Sequence, residues 1–125
     1  MGVGSSRSED TPTRFPSLRG SRQFSAVYRR GKRRDGRYTS VRMLRNDLKS
    51  NRYGFAISKK IGGAVQRNRL RRRLRHILAE LQVEPGWDIV VNARPGGPEA
   101  PYSALRAEVA SLLGSGRVRA EGKSN

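Results

Sequence analysis

The sequence predicts one α+β domain, and three observations carry that reading. Apolar residues alternate cleanly from Arg52 to Ser58, with Tyr53, Phe55 and Ile57 on one face, which marks a half-buried strand. Two other segments repeat their apolar residues at helical spacing: Leu70, Leu74, Ile77, Leu78 and Leu81 in the first, Leu105, Val109, Leu112 and Leu113 in the second. Placed in chain order with the shorter signals, the elements run αβββαβα. That is the order of a two-layer sandwich with helices packed on a mostly antiparallel sheet. At 125 residues the chain has room for one modest core and too little for two.

Taken in order, residues 1–16 are rich in Gly, Ser, Thr and Pro and have few apolar side chains. The segment 114–125 has the same character. Neither can offset the entropy of being ordered, so both are expected as disordered extensions flanking a domain of residues 17–113. The opening Met1-Gly2-Val3-Gly4-Ser5-Ser6 fits the short myristoylation pattern, but it reads better as part of a Gly/Ser leader. Ser21 is placed to cap a short helix with Phe24, Val27 and Tyr28 on one side and Gly31 at its end. Asp35-Gly36 signals a hairpin with arms Lys32–Arg34 and Arg37–Leu44. In the second arm Thr39, Val41 and Met43 point one way, while Tyr38, Ser40 and Arg42 point the other. Asn46 to Asn51 reads as a loop, and Lys59 to Gly63 leads into a helix from Ala64 to Leu81. Trp87 to Ala93 is nearly all apolar, as a strand buried on both faces should be. After the break at Arg94-Pro95-Gly96-Gly97-Pro98, a last helix runs from Tyr102 to Leu113.

Charge narrows the function. Lys and Arg number 27 against 10 acids, a formal net charge of +17. Such an excess repels itself in a compact chain unless a polyanion answers it. Nucleic acid is the first partner to consider and an anionic membrane the second. No apolar run approaches a membrane span and no signal peptide opens the chain, so a cytoplasmic protein without membrane attachment is expected. There are no cysteines, which excludes disulfides and zinc ribbons.

The segment RNRLRRRLR, from Arg67 to Arg75, holds six arginines in nine residues, and no acid occurs between Asp47 and Glu80. A step of about 100° per residue puts Arg67, Arg71 and Arg75 beside the leucine stripe, with Asn68 and Arg72 continuing that flank and Arg69 and Arg73 on the opposite one. Like charges at i and i+4 oppose the helix, so a bound anion would relieve it. The planar guanidinium fork suits phosphate. A solvated helix face usually mixes signs. A major-groove helix would need base-reading partners beyond Gln66 and Asn68. Phe24, Tyr28 and Tyr38, interleaved with Arg29, Arg30, Lys32, Arg33 and Arg42, look more like a groove for a flexible single strand. For Phe24 and Tyr28 core packing is an equally good reading, and for Tyr53 and Phe55 a better one.

Catalysis by the chain's own side chains is not expected. His76 is the only histidine, the carboxylates are scattered, and neither GxxxxGK[ST] nor GxGxxG is present. No catalytic residue and no metal ligand is therefore assigned.

Arg52-x-Gly54 followed by SKKIGGAVQRNRLRRRLR, Ser58 to Arg75, resembles the signature of the bacterial ribonuclease P protein family. The likeness extends outward to Leu18, Phe24, Val27, Tyr28 and Gly31, and to Trp87 through Arg94. It implies a left-handed β-α-β crossover, the topology of the second domain of ribosomal protein S5. It also implies a protein that partners a catalytic RNA in removing the 5′ leader of precursor tRNA, one protein per RNA. The RNA would hold the Mg²⁺ and perform the hydrolysis, with no cofactor on the protein. Carried over by position, the RNA-binding motif residues are Arg67, Asn68, Arg71, Arg72 and Arg75, and the loop lysines Lys59 and Lys60 also fit; Arg69, on the opposite flank of the same helix, is added to the RNA-binding set for its charge. A leader cleft between first helix and sheet would comprise Phe24, Tyr28, Ser40, Arg42, Ala56 and Ser58. Three positions depart from the pattern: Arg71 replaces the motif lysine, His76 follows the last motif arginine, and Ser17 precedes Leu18 where a basic residue is usual. The runner-up is a structural RNA-binding protein such as a ribosomal component, and a DNA-binding helix protein comes third.

Overall fold

A computed structural model describes residues 17, 18 and 20–114; of the two extensions expected at 1–16 and 114–125, all but Gly114 lies outside the described residues. The elements are α1 (Gly20–Arg30), β1 (Lys32–Asp35), β2 (Thr39–Arg45), β3 (Arg52–Ala56), α2 (Ala64–Leu81), β4 (Trp87–Ala93) and α3 (Tyr102–Leu113). The four strands form one sheet in the order β1-β2-β4-β3. The β1/β2 and β2/β4 pairs are antiparallel, while β3 and β4 are parallel neighbours joined through α2. The α+β order expected from the sequence is the order observed.

The sheet separates two apolar clusters. Val41 and Met43 of β2, Tyr53 of β3 and Ile89 and Val91 of β4 pack against Leu70, Leu74, Ile77, Leu78 and Leu81 of α2 and Leu105, Val109 and Leu113 of α3. On the other face Val90 meets Leu18 and Val27, with Phe24, Tyr28, Leu44 and Ala56 at the margin. The sheet with α2 and α3 is thus the main sandwich, and α1 lies across the opposite face. Both long helices occupy the spans that their periodicity predicts, because each apolar stripe has sheet to cover.

The strands β1 and β2 each run one residue further than expected, to Asp35 and Arg45, and three other boundaries differ. The helix α1 starts at Gly20, which has φ +69°, so Ser21 is its second residue and not its cap. The strand β3 stops at Ala56, because Ser58 accepts a hydrogen bond from the Lys60 N–H (3.3 Å) and caps a 3₁₀ turn over Lys59–Ile61. The strand β2 begins at Thr39, not Arg37. The reason is Glu108 of α3. Its carboxylate accepts from the backbone N–H groups of Arg37 (2.7 Å), Tyr38 (2.9 Å) and Thr39 (2.8 Å) and from the Thr39 hydroxyl (2.8 Å). These donors would otherwise need partners of their own beneath α3. Gly36 is explained by the same carboxylate, since a Cβ there would collide with the Glu108 side chain; its φ is not positive.

Glu108→Ala should therefore lower stability by about 2–4 kcal/mol in urea unfolding, because it orphans several donors around the fully buried Thr39. Gly36→Ala should also destabilise, and combining it with Glu108→Ala should cost less than the two changes separately.

Candidate nucleic-acid interface

The basic helix is divided by its neighbours. Five aliphatic residues of α2 are buried, and Arg67, Arg71 and Arg75 border them half-buried on one side. Asn68 and Arg72 continue that flank fully exposed. The Arg67 Nε donates to the Gly62 carbonyl (3.1 Å), which ties the flank to the turn carrying Lys59 and Lys60, both exposed. Arg71 donates to the Asn68 Oδ1 at 3.1 Å, so these two side chains present themselves together. Gln66 reaches back to the Gly63 N–H (3.1 Å) and closes the first turn. Val65 beside it is 79 % exposed, an apolar contact point on a basic surface.

The other flank has a different task. Arg73 donates to the carbonyls of Ala100 (2.6 Å) and Pro98 (3.4 Å), holding the turn before α3. Arg69 stands exposed next to it. His76 is exposed, 3.5 Å from Glu80, whose carboxyl lies below the usual carboxylate range because Tyr102 and Arg106 donate to it.

The residues expected to line a leader cleft are gathered by strand register. On the α1 face Ala56, Asn92 and Ser40 stand in one row across β3, β4 and β2, and Gly54, Val90 and Arg42 in the next. Tyr28 of α1 lies over the pair of rows. The Arg42 guanidinium stacks 4.6 Å from the centre of its ring, and its hydroxyl accepts from the Asn92 Nδ2 at 2.9 Å. Phe24 fills the space above Gly54, where a Cβ would come within 2.5 Å of the ring. Part of Phe24 therefore belongs to the core. Ser40 is on this face but buried, whereas Ala56 is half-buried and Ser58 exposed.

Asn92 is the residue that sequence reasoning missed. It sat inside a run read as apolar on both faces, yet Asp88, Val90 and Asn92 alternate with Ile89 and Val91, and that alternation was the available signal. Among the described residues, the Arg42 Nε and Asn92 Oδ1 are buried without a hydrogen-bond partner, one donor and one acceptor on the same sheet face. Each such atom costs about 1–3 kcal/mol and calls for an explanation. Asp88, on the same face, is by contrast fully answered: Arg52 binds it through two bonds of 2.8 Å and Asn46 adds a third of 2.9 Å. Among the described residues no three His, Cys, Asp or Glu side chains come together as a metal site. No helix among them is long and apolar enough to cross a membrane.

The ribonuclease P family model matches residues 13–116. The chain belongs to the ribonuclease P protein family. It is 46 % identical over 107 residues to the ribonuclease P protein component of Acidothermus cellulolyticus, covering 82 % of this chain and 88 % of the relative. It is 38 % identical over 98 residues to that of Syntrophomonas wolfei, covering 77 % and 82 %. The RNase P protein of Thermotoga maritima superposes with a TM-score of 0.71 at 29 % identity, covering 78 % of this chain and 94 % of that one. The Staphylococcus aureus RNase P protein shares the fold, with a TM-score of 0.73 at 23 % identity over 85 % of this chain and 98 % of that one.

The two flanks of α2 are separable by stability. Arg73→Ala should lower it by about 1–2 kcal/mol through the released Pro98 and Ala100 carbonyls. Arg72→Ala should leave it within about 0.5 kcal/mol, since its side chain is exposed. Thermal or urea unfolding of the two variants checks this.

Proposed function

We propose that this chain is the protein subunit of ribonuclease P, acting in removal of the 5′ leader of precursor tRNA. The observation that carries the reading is one continuous basic surface, from Lys59 and Lys60 through Arg67, Asn68, Arg71 and Arg72, with no carboxylate on it. That surface, with Arg69 and Arg75, binds the catalytic RNA through phosphates. The cleft takes the single-stranded leader. Tyr28 and Phe24 supply ring surface and Arg42 supplies charge. Ser58, Ala56 and Ser40 shape the floor.

In this reading the protein contributes binding and orientation. Its residues neutralise phosphates that would otherwise repel within the folded RNA and hold the leader on one side of the cleavage site. The Mg²⁺ and the attacking water belong to the RNA subunit, and the complex is the endoribonuclease. One protein per RNA and a cytoplasmic location are part of the same proposal.

Reconstitution tests it. The purified protein, added to the cognate RNA and a precursor tRNA at low Mg²⁺, should raise the rate of leader removal over RNA alone; no gain sinks the proposal. It should also favour precursor over mature tRNA, whereas a structural RNA-binding protein would bind both alike. Arg72→Ala should weaken assembly with the catalytic RNA, and Tyr28→Ala should chiefly reduce the preference for substrates with a leader. Equal effects of both changes on both readouts would undo the division of surfaces.

A further inference from the structure

A pocket lies on the sheet face opposite the proposed cleft. The register explains its composition. Lys32 is paired with Met43, Arg34 with Val41 and Arg45 with Trp87, so all six side chains share the face that carries α2 and α3. The helix α3 packs on β2, every residue of β1 is exposed, and Leu112 closes one wall. The result is a pocket of about 390 Å³ with an apolar floor and four cations around it: Arg30, Lys32, Arg34 and Arg45. No carboxylate lines it. Among the described residues none of these four cations is in an ion pair. The Arg45 guanidinium stands 5.1 Å from the centre of the Trp87 ring, at the mouth.

We infer that this pocket is a second RNA-binding site, which takes an unstacked nucleotide of a single-stranded RNA segment. The volume is at the low end for ligand pockets, about 300–1,000 Å³, and suits one base with its sugar but not a helix. An arginine stacked on an aromatic ring offers the outer plane of its guanidinium to a base. Lys32 and Arg34 are two residues apart on β1, about 6–7 Å, so they meet successive phosphates of an extended strand and not one phosphate group. That spacing favours RNA over a free mononucleotide. The recessed floor is unsuited to a membrane surface, and an acidic peptide lacks the flat ring that the Trp87–Arg45 stack would receive. The site is separate from the cleft and the α2 flank, and it stands whether or not those surfaces act as proposed above.

Trp87 is the only tryptophan in the chain, so its fluorescence reports on this pocket directly. A hexamer of adenylate is titrated into the full chain at low salt. Saturable quenching of Trp87 is expected, with the midpoint weakened at least tenfold in Lys32→Glu/Arg34→Glu and at most twofold in Tyr28→Ala. Arg45→Gln, a single exposed change, should weaken it at least threefold and serves should the double variant fail to fold in a circular-dichroism melt. Quenching that keeps the wild-type midpoint in the folded charge variants overturns the proposal. So does quenching abolished by Tyr28→Ala, which would assign the signal to the cleft. Equal quenching by adenosine monophosphate or by oligo-glutamate at the same concentration overturns it as well, in favour of a free nucleotide or an acidic peptide.

Discussion

The structure depends on one competition inside α2: five aliphatic side chains that must be buried and six arginines, Arg67 to Arg75, that repel one another on the same helix. Their like-charge contacts at i+3 and i+4 amount to about 1–2.5 kcal/mol of repulsion together. Burial of Leu70, Leu74, Ile77, Leu78 and Leu81 supplies roughly 8–15 kcal/mol, an upper figure because the unfolded chain already hides some of that surface. Burial wins by a wide margin. The helix is therefore fixed to the sheet in one rotation, and the arginines have no freedom over which way they face. Everything else about the basic surface follows from that rotation.

The second ordering element is β4, which pairs with β2 on one side and β3 on the other. Because it is central, its register sets which side chains of three strands stand in one row. One face receives the apolar residues that hold α2 and α3, and the other receives Asn92, Ser40, Ala56 and Arg42 beneath Tyr28. A one-residue slip would send every one of these to the wrong face. The grouping of these side chains is thus a by-product of sheet register, and α1 needs only Val27, Leu18 and the dent above Gly54 to find its place on the sheet.

The elements legible in the sequence are those made by local periodicity. The bounds of α2, β4 and α3 could be read directly, since an apolar stripe of period 3.6 or an apolar run is a local property. What could not be read are polar contacts between distant residues. Glu108 reaches the Arg37–Thr39 backbone across about 70 positions, and nothing in either segment signals the other. For that reason the start of β2 was placed two residues early, and the close approach of Glu108 that Gly36 permits could not be foreseen. The flank of Arg73 could be read but its task could not, because the carbonyls it serves, Pro98 and Ala100, belong to a later turn. Asn92 was hidden by the apolar run around it, although strand alternation would have set it apart.

The placement of the acids completes the picture. Asp35 is bound to Arg33, Asp88 to Arg52 and Glu80 to Arg106, while Glu108 serves the backbone. Each is committed to an internal contact, and none is aimed at the flank of Arg67, Asn68, Arg71 and Arg72. The helix even runs against its own dipole. There is no acid in the first turn of α2, arginines crowd its first half, and its only carboxylate comes in the last turn at Glu80. Reversing that order would favour the isolated helix by about 0.3–1 kcal/mol per charge. As it stands, the positive end of the helix dipole, the arginines and the Lys59–Lys60 turn all add potential of the same sign at one end of the molecule. That sum is unfavourable for the chain alone and favourable only when a polyanion is brought against it, which is the sense in which this helix is built for its partner and not for itself.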